Sequence, residues 1–136
     1  MIEAPIRVVA AIIETDGRVL VARRAFEKRH GGLWEFPGGK CEPDESDEDA
    51  LARELIEELG VELTHAGVPL ASLRDPASPF EIVFIPVDIR GEPECLEHLE
   101  IRWVSIADLE MLPLAPTDRR FVEWQCLGNL RRSARD

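Results

Sequence analysis

The strongest constraint in this 136-residue chain is one helical segment with sharply marked ends. Ser46, with Asp49 three residues on, forms an N-cap pair, and Gly60 is a C-terminal stop. At about 100° per residue, Leu51, Ala52, Leu55, Ile56 and Leu59 fill an arc of roughly 140°, the pattern of a helix burying one side against a sheet. Glu54, Glu57 and Glu58 share a neighbouring arc of about 100°, so the acidic face borders the core. A chain carrying this helix must also supply a sheet for it to lie on.

The flanking sequence reads as that sheet. Residues 7–14 (RVVAAIIE) and 18–24 (RVLVARR) are β-branched, apolar runs around the turn signal Thr15-Asp16-Gly17, and they predict a β-hairpin. Residues 25–33 (AFEKRHGGL) mix charge with two glycines and predict a mobile loop. Trp34-Glu35-Phe36 predicts a short strand stopped by Pro37 and the Gly38-Gly39 pair. Beyond the helix, residues 62–73 and 80–89 predict strands split by a Pro-containing loop, residues 101–104 a short strand, and residues 105–109 one helical turn. An amphipathic helix is predicted over residues 117–131. Strands and helices are interspersed without repeat or linker, an α+β pattern, and the length suits one domain, residues 1–136.

Composition narrows the function. With 45% hydrophobic and 32% charged residues, the chain has the make-up of a soluble globular protein. Its longest apolar run, residues 8–13, falls far short of the ~20 residues of a membrane span. Residues 1–5 contain Glu3 and lack the basic start of a secretory signal, so the expectation is a cytoplasmic protein with no membrane partner. Cys41, Cys95 and Cys126 are widely spaced and without zinc-ligand spacing, and read as reduced thiols. A net charge of −11 argues against a nucleic-acid polymer as partner. A small phosphorylated ligand would need local cations or a metal to enter.

Residues 38–61 hold nine carboxylates against two basic side chains, Lys40 and Arg53. Asp47, Glu48 and Asp49 complement the helix dipole and need no further reason. Arg53 lies one turn before Glu57 and can pair with it, but one guanidinium cannot also neutralise Glu54 and Glu58. An acidic helix face is ordinarily just solvated. Like charges at this spacing nevertheless destabilise a helix by about 0.2–0.5 kcal/mol per pair, a penalty that a divalent cation would remove. Oxygen-only ligands favour Mg²⁺ or Mn²⁺ over zinc.

The full spacing is Gly39, five residues, Glu45, seven residues, then Arg53-Glu54-Leu55-Ile56-Glu57-Glu58-Leu59-Gly60-Val61. It resembles, at every specified position, the signature of the Nudix hydrolases, Gly-x5-Glu-x7-Arg-Glu-Φ-x-Glu-Glu-x-Gly-Φ with Φ aliphatic. Arg23-Arg24-Ala25 and residues 34–40 (WEFPGGK) are similar to the MutT branch and the related CTP pyrophosphohydrolases. The resemblance implies the Nudix fold, a mixed curved β-sheet sandwiched between helices in an α/β/α arrangement. It also implies Mg²⁺-dependent hydrolysis of a nucleoside triphosphate to monophosphate and pyrophosphate. Another nucleoside diphosphate-X substrate, such as ADP-ribose, a dinucleoside polyphosphate or a nucleotide sugar, stays open, as does a non-catalytic nucleotide-sensing module. The protein would be a monomer or homodimer.

Carried over residue by residue, the resemblance implies that Glu57, Glu58 and Glu54 are metal ligands, with Glu54 also a general-base candidate and the Gly38 carbonyl a further ligand. Arg53 would orient the box carboxylates, and Glu45 would support them. Arg23 matches a phosphate-contacting arginine, with an exposed strand-end charge as its ordinary alternative. A further glutamate often arrives from a later loop, where Glu97 and Glu100 are rival candidates because Arg102 stands where MutT has an acid. His98 in that loop reads as solvated. For the substrate, Gly39, which opens the box, and Lys40 beside it are binding candidates, and Val8, Phe36, Phe80 and residues 114–118 are candidates to surround the base. MutT's base-reading asparagine has no counterpart here; residues 113–118 (PLAPTD) resemble the CTP-hydrolysing relatives, with Asp118 either a base acceptor or a helix cap. Trp34, Trp103 and Trp124 read first as core.

Overall fold

The computed structural model describes residues 4–75 and 77–123, and the structural statements below concern those residues. The hairpin forms as the sequence predicts. Strands β1 (Ile6–Thr15) and β2 (Arg18–Arg23) pair antiparallel, with Thr15 opposite Arg18. Asp16 and Gly17, both with positive φ (52° and 77°), make the two-residue mirror-image turn whose twist matches that of paired strands.

Strand β1 pairs in parallel with β7 (Phe80–Arg90) from Ile6 to Ile13, with Val8 opposite Ile82, and residues 8–10 also pair antiparallel with β4 (Gly38–Lys40), with Val8 opposite Lys40. Its far end turns into β2, which carries β3 (Trp34–Glu35) and β8 (Glu100–Ser105), both antiparallel. Strands β5 (Glu62–Ala66) and β6 (Ala71–Arg74) pair antiparallel with successive stretches of β7. The sheet is therefore mixed.

Helices cover both faces, which is why the centre of β1 is a continuous apolar run rather than an alternating one. Val9, Ala11 and Ile13, with Val83, Ile85 and Val87 of β7, pack against Leu51, Leu55 and Leu59 of α1 (Asp47–Leu59). Ala10, Ile12 and Phe84 face the other way, onto Phe36, Leu109 of α2 (Ile106–Met111) and Phe121 of α3 (Pro116–Phe121). Phe84 and Phe121 stack at 4.1 Å between centroids, and Phe36 meets Phe121 edge-on at 5.8 Å. The result is the α/β/α sandwich of the α+β reading. Among the described residues no helix is long and apolar enough to cross a membrane.

Several local expectations change. The single strand expected over residues 62–73 is two strands, interrupted at Gly67-Val68-Pro69, where a proline removes a ladder donor. Gly38-Gly39 is not a stop: it is strand β4, because β1 offers a free edge there. On α1 the buried stripe is Ala50, Leu51, Leu55 and Leu59 together with Glu58, while Ile56, expected in the apolar arc, is 59% exposed. Residues 25–33 are a series of turns closed by Lys28 N–H to Ala25 O and Gly31 N–H to Lys28 O. The helical turn expected at 105–109 is α2, capped by Ser105. The helix expected over 117–131 begins as α3, and its later residues, with Trp124 and Cys126, lie outside the described residues.

Helix α1 has the ends the sequence marks. The Ser46 hydroxyl accepts from the Asp49 N–H at 3.1 Å, and Gly60, at φ 66°, donates its N–H to Ile56 O. Ser46→Ala should therefore lower folding stability by about 1 kcal/mol, read from equilibrium urea unfolding, while Ser46→Asp should retain it.

Candidate active site

The site begins with two glycines facing two glutamates. Gly38 has φ +152°, and a Cβ there would lie 1.9 Å from the Val9 carbonyl oxygen, so only glycine fits against β1. In that position its N–H donates to Glu58 Oε2 at 2.9 Å. At Gly39 a Cβ would lie 2.5 Å from the Glu54 carboxyl carbon; the missing side chain is the room that Glu54 occupies. The sequence spacing thus encodes a close packing of β4 on the acidic face of α1.

Arg53 ties the box together. Its Nε and Nη2 reach both oxygens of Glu45 at 2.9 and 2.8 Å, Nη2 also donates to the Lys40 carbonyl at 3.0 Å, and Nη1 donates to Glu54 Oε1 at 2.8 Å. Glu57 is more distant, at 3.6 Å from Nη1. The Arg53 hydrogen bonds, aided by the Glu42 N–H, hold the Glu45 carboxyl down at about 2. Burial pushes Glu54 upward despite Arg53, and Glu57 and Glu97 add to the push.

Glu58 is the most strained acid. Burial, then the charge of Glu35, raise it to about 9 against the easing effect of the Gly38 N–H, with Glu54 and Glu97 adding repulsion. The end of α1 also fixes what faces it. Leu59 O accepts from the Glu94 N–H at 2.9 Å and Glu58 O from the Leu96 N–H at 3.1 Å, and the Leu99 N–H reaches Arg23 O at 2.9 Å. These bonds pin the loop before β8 across the box, with Glu97 and His98 inward.

A cleft of about 670 Å³ joins these acids to an apolar pocket, a volume within the range of small-ligand sites. Gly38, Gly39, Lys40, Glu54, Glu57, Glu58 and Glu97 line it together with Val8, Phe36, Phe80 and Asp118, so most of the sequence-derived candidates meet in one place. Arg53 acts from outside through Glu54. Arg23 and Glu100 are elsewhere: they are opposite each other on β2 and β8, with Arg23 donating to Gly32 O at 2.9 Å and Glu100 paired with Arg102 at 2.8 Å. Of the rival glutamates, Glu97 is the one in the cleft.

Three features escaped sequence reasoning. His98 is not solvated: its side chain is 7% exposed, and Nε2 lies 2.9 Å from Glu35 Oε2 and 3.7 Å from Glu58 Oε1. Glu35, read only as part of a strand, is held by Arg24 at 2.7 Å on its other oxygen. Lys28, Arg29 and His30 of the 25–33 loop also line the cleft. None of these carries a spacing signal, because each partner comes from a distant segment.

Asp118 has a further role. Its Oδ2 accepts the Phe36 N–H at 2.9 Å, two residues from the Gly38 N–H that holds Glu58, and the carboxyl also takes its own backbone N–H in the first turn of α3. Lys40 Nζ lies 5.0 Å from the Phe80 ring centroid, joining two cleft-lining residues.

The NUDIX domain model matches residues 4–125, and the chain belongs to the NUDIX family. A CTP pyrophosphohydrolase of Escherichia coli K12 is 44% identical over 122 residues, covering 87% of this chain and 89% of that protein. An 8-oxo-dGTP diphosphatase of Proteus vulgaris is 47% identical over 53 residues, 39% of this chain and 47% of the other. The solution structure of the E. coli ORF135 protein superposes with a TM-score of 0.80 at 43% identity, covering 94% of this chain and 91% of that one. The chain is a hydrolase of this family, whose members generally use a divalent metal.

Burial, followed by repulsion from Glu35, raises Asp118 from its ordinary 3.8 to about 7. The folded state therefore keeps a proton that the unfolded chain releases, and this group's contribution to stability falls as pH rises from about 4 to 7, by up to about 1.4 kcal/mol per pH unit. Asp118→Asn should flatten that part of the stability profile and make the variant more stable than the parent at pH 8. Denaturant unfolding at pH 5 and pH 8 checks it; parallel profiles would refute the assignment.

Proposed function

We propose that the protein is a Mg²⁺-dependent nucleoside triphosphate pyrophosphohydrolase that converts an NTP or dNTP and water to the monophosphate and pyrophosphate. Its substrates would be cytidine nucleotides or an oxidised purine such as 8-oxo-dGTP. The observation that carries this reading is a cleft whose lining brings the box acids together with Val8, Phe36, Phe80 and Asp118. The cytidine choice draws support from the E. coli relative named CTP pyrophosphohydrolase and from the Ala115–Asp118 stretch in the cleft wall. Such a nucleotide-pool enzyme would act in the cytoplasm.

The residues fit a divalent cation. Glu58 is a buried carboxyl with one N–H donor and three carboxylates acting against it, an arrangement that calls for added positive charge. Glu54, Glu57 and Glu58 would hold the ion, with Glu97 beside them and the Gly38 carbonyl as a further candidate. When bound it supplies charge that offsets the repulsion between this acidic wall and the phosphates and polarises the phosphorus. All-oxygen donors favour Mg²⁺, with Mn²⁺ as substitute.

The chain's own residues do the rest. Arg53 fixes the Glu54 carboxylate through Nη1 while Glu45 and the Lys40 carbonyl anchor the guanidinium, leaving Glu54 a directed base candidate at the cleft wall. Lys40, Lys28 and Arg29 contribute positive charge at the same cleft, where phosphate oxygens need partners. Val8, Phe36 and Phe80 offer an apolar surface for a base.

Incubating the protein with Mg²⁺ and CTP, dCTP, 5-methyl-dCTP, 8-oxo-dGTP and ADP-ribose, and assaying monophosphate and pyrophosphate, tests the reading. Turnover of a cytidine triphosphate above the others is expected; faster cleavage of ADP-ribose would overturn it. Glu57→Gln should lower kcat by several orders of magnitude with the thermal melting temperature unchanged or raised, since a repulsive charge is lost from the helix.

A further inference from the structure

Beside the box lies a string of partly buried polar contacts that the family signature does not include. Arg24 Nη1 donates to Glu35 Oε1 at 2.7 Å, His98 Nε2 lies 2.9 Å from Glu35 Oε2 and 3.7 Å from Glu58 Oε1, and the Gly38 N–H holds Glu58 Oε2 at 2.9 Å. Each oxygen of Glu58 thus faces a nitrogen, one from β4 and one from the loop pinned by Leu96 and Leu99.

Two roles are open to His98. Donor atoms of Glu35, Glu58 and His98 all lie within 4.8 Å of one another, close enough for a cation to bridge them. An imidazole bound to a metal through Nε2 carries its proton on Nδ1 and almost always donates it to an acceptor. His98 Nδ1 is buried and has no hydrogen-bond partner among the described residues, so ligation through Nε2 would bury an unsatisfied N–H. The opposite tautomer puts the proton on Nε2, between the two carboxylates, and leaves only a lone pair at Nδ1.

We propose that His98 is a positioning residue whose Nε2–H, donated to Glu35 and facing Glu58 Oε1 from the same side, offsets the repulsion between the two carboxylates and so keeps the Glu58 side chain in place for the divalent cation. Glu35 is committed to Arg24 and His98 and is not a ligand. His98 acts through Glu35 and Glu58 and does not ligate the cation. This rests on the proposed metal role of Glu58, and its test does not require turnover.

Mn²⁺ alone serves as the probe, titrated by electron paramagnetic resonance in the absence of nucleotide. His98→Leu, which keeps bulk and removes the donor, should raise the Mn²⁺ dissociation constant and lower kcat by 10- to 100-fold with little change in KM. His98→Gln, which restores an N–H donor, should recover most of both losses. Pulsed resonance of the parent protein should show no coupling to a directly bound nitrogen. A nitrogen coupling that vanishes in His98→Gln would overturn the proposal in favour of ligation, and unchanged Mn²⁺ affinity in a folded His98→Leu would overturn it outright. If circular dichroism shows that His98→Leu does not fold, the His98→Gln affinity and the parent spectrum decide: affinity lost in His98→Gln, or a bound nitrogen in the parent, counts against positioning. A parent protein that binds Mn²⁺ but hydrolyses no triphosphate would refute the substrate assignment and leave the Mn²⁺-affinity and resonance outcomes standing.

Discussion

One hydrogen bond, from the Gly38 N–H to Glu58 Oε2, joins the sheet to helix α1 at the point of greatest electrostatic strain. A carboxylate buried beside Glu35, Glu54 and Glu97 is tolerable only when its lone pairs are met and compensating charge is near. The surrounding structure supports that arrangement. Gly38 must be glycine to reach it, α1 must be capped to present it, and the carbonyls at the end of α1 accept the N–H groups that bring Glu97 and His98 over it.

The same short segment organises the other half of the cleft. Phe36 donates its N–H to Asp118, and two residues later Gly38 donates to Glu58, so residues 36–38 hold a carboxyl at each end. Glu35 precedes them and presses electrostatically on both carboxyls. The acidic wall and the wall that carries Asp118 are therefore coupled through a few residues of backbone.

Much of this was legible in the chain itself. The caps of α1, the hairpin turn and the continuous apolar centre of β1 are local chemistry, expressed within a few residues of where they act. The box glutamates and Arg53 were legible because a helix converts fixed spacing into a shared face. Burial within that face was not: Ile56 is exposed and Glu58 buried because β4 and the Glu94–Leu99 loop cover one edge of the helix and not the other. Arg23 and Glu100 looked like site residues by resemblance, yet they pair across β2 and β8 and turn to Gly32 and Arg102 instead.

The sequence by itself determined the class of elements, the limits of the acidic helix, the family and the demand for positive charge, since propensity, capping and periodicity are properties of neighbouring residues. Only the tertiary structure decided which acids face one another, that Asp118 meets Phe36, that Glu97 rather than Glu100 lines the cleft, and that His98 is buried between Glu35 and Glu58. Those facts join residues up to 82 positions apart, and the free energy of such a meeting depends on burial and on partners supplied by other strands, which no local pattern encodes.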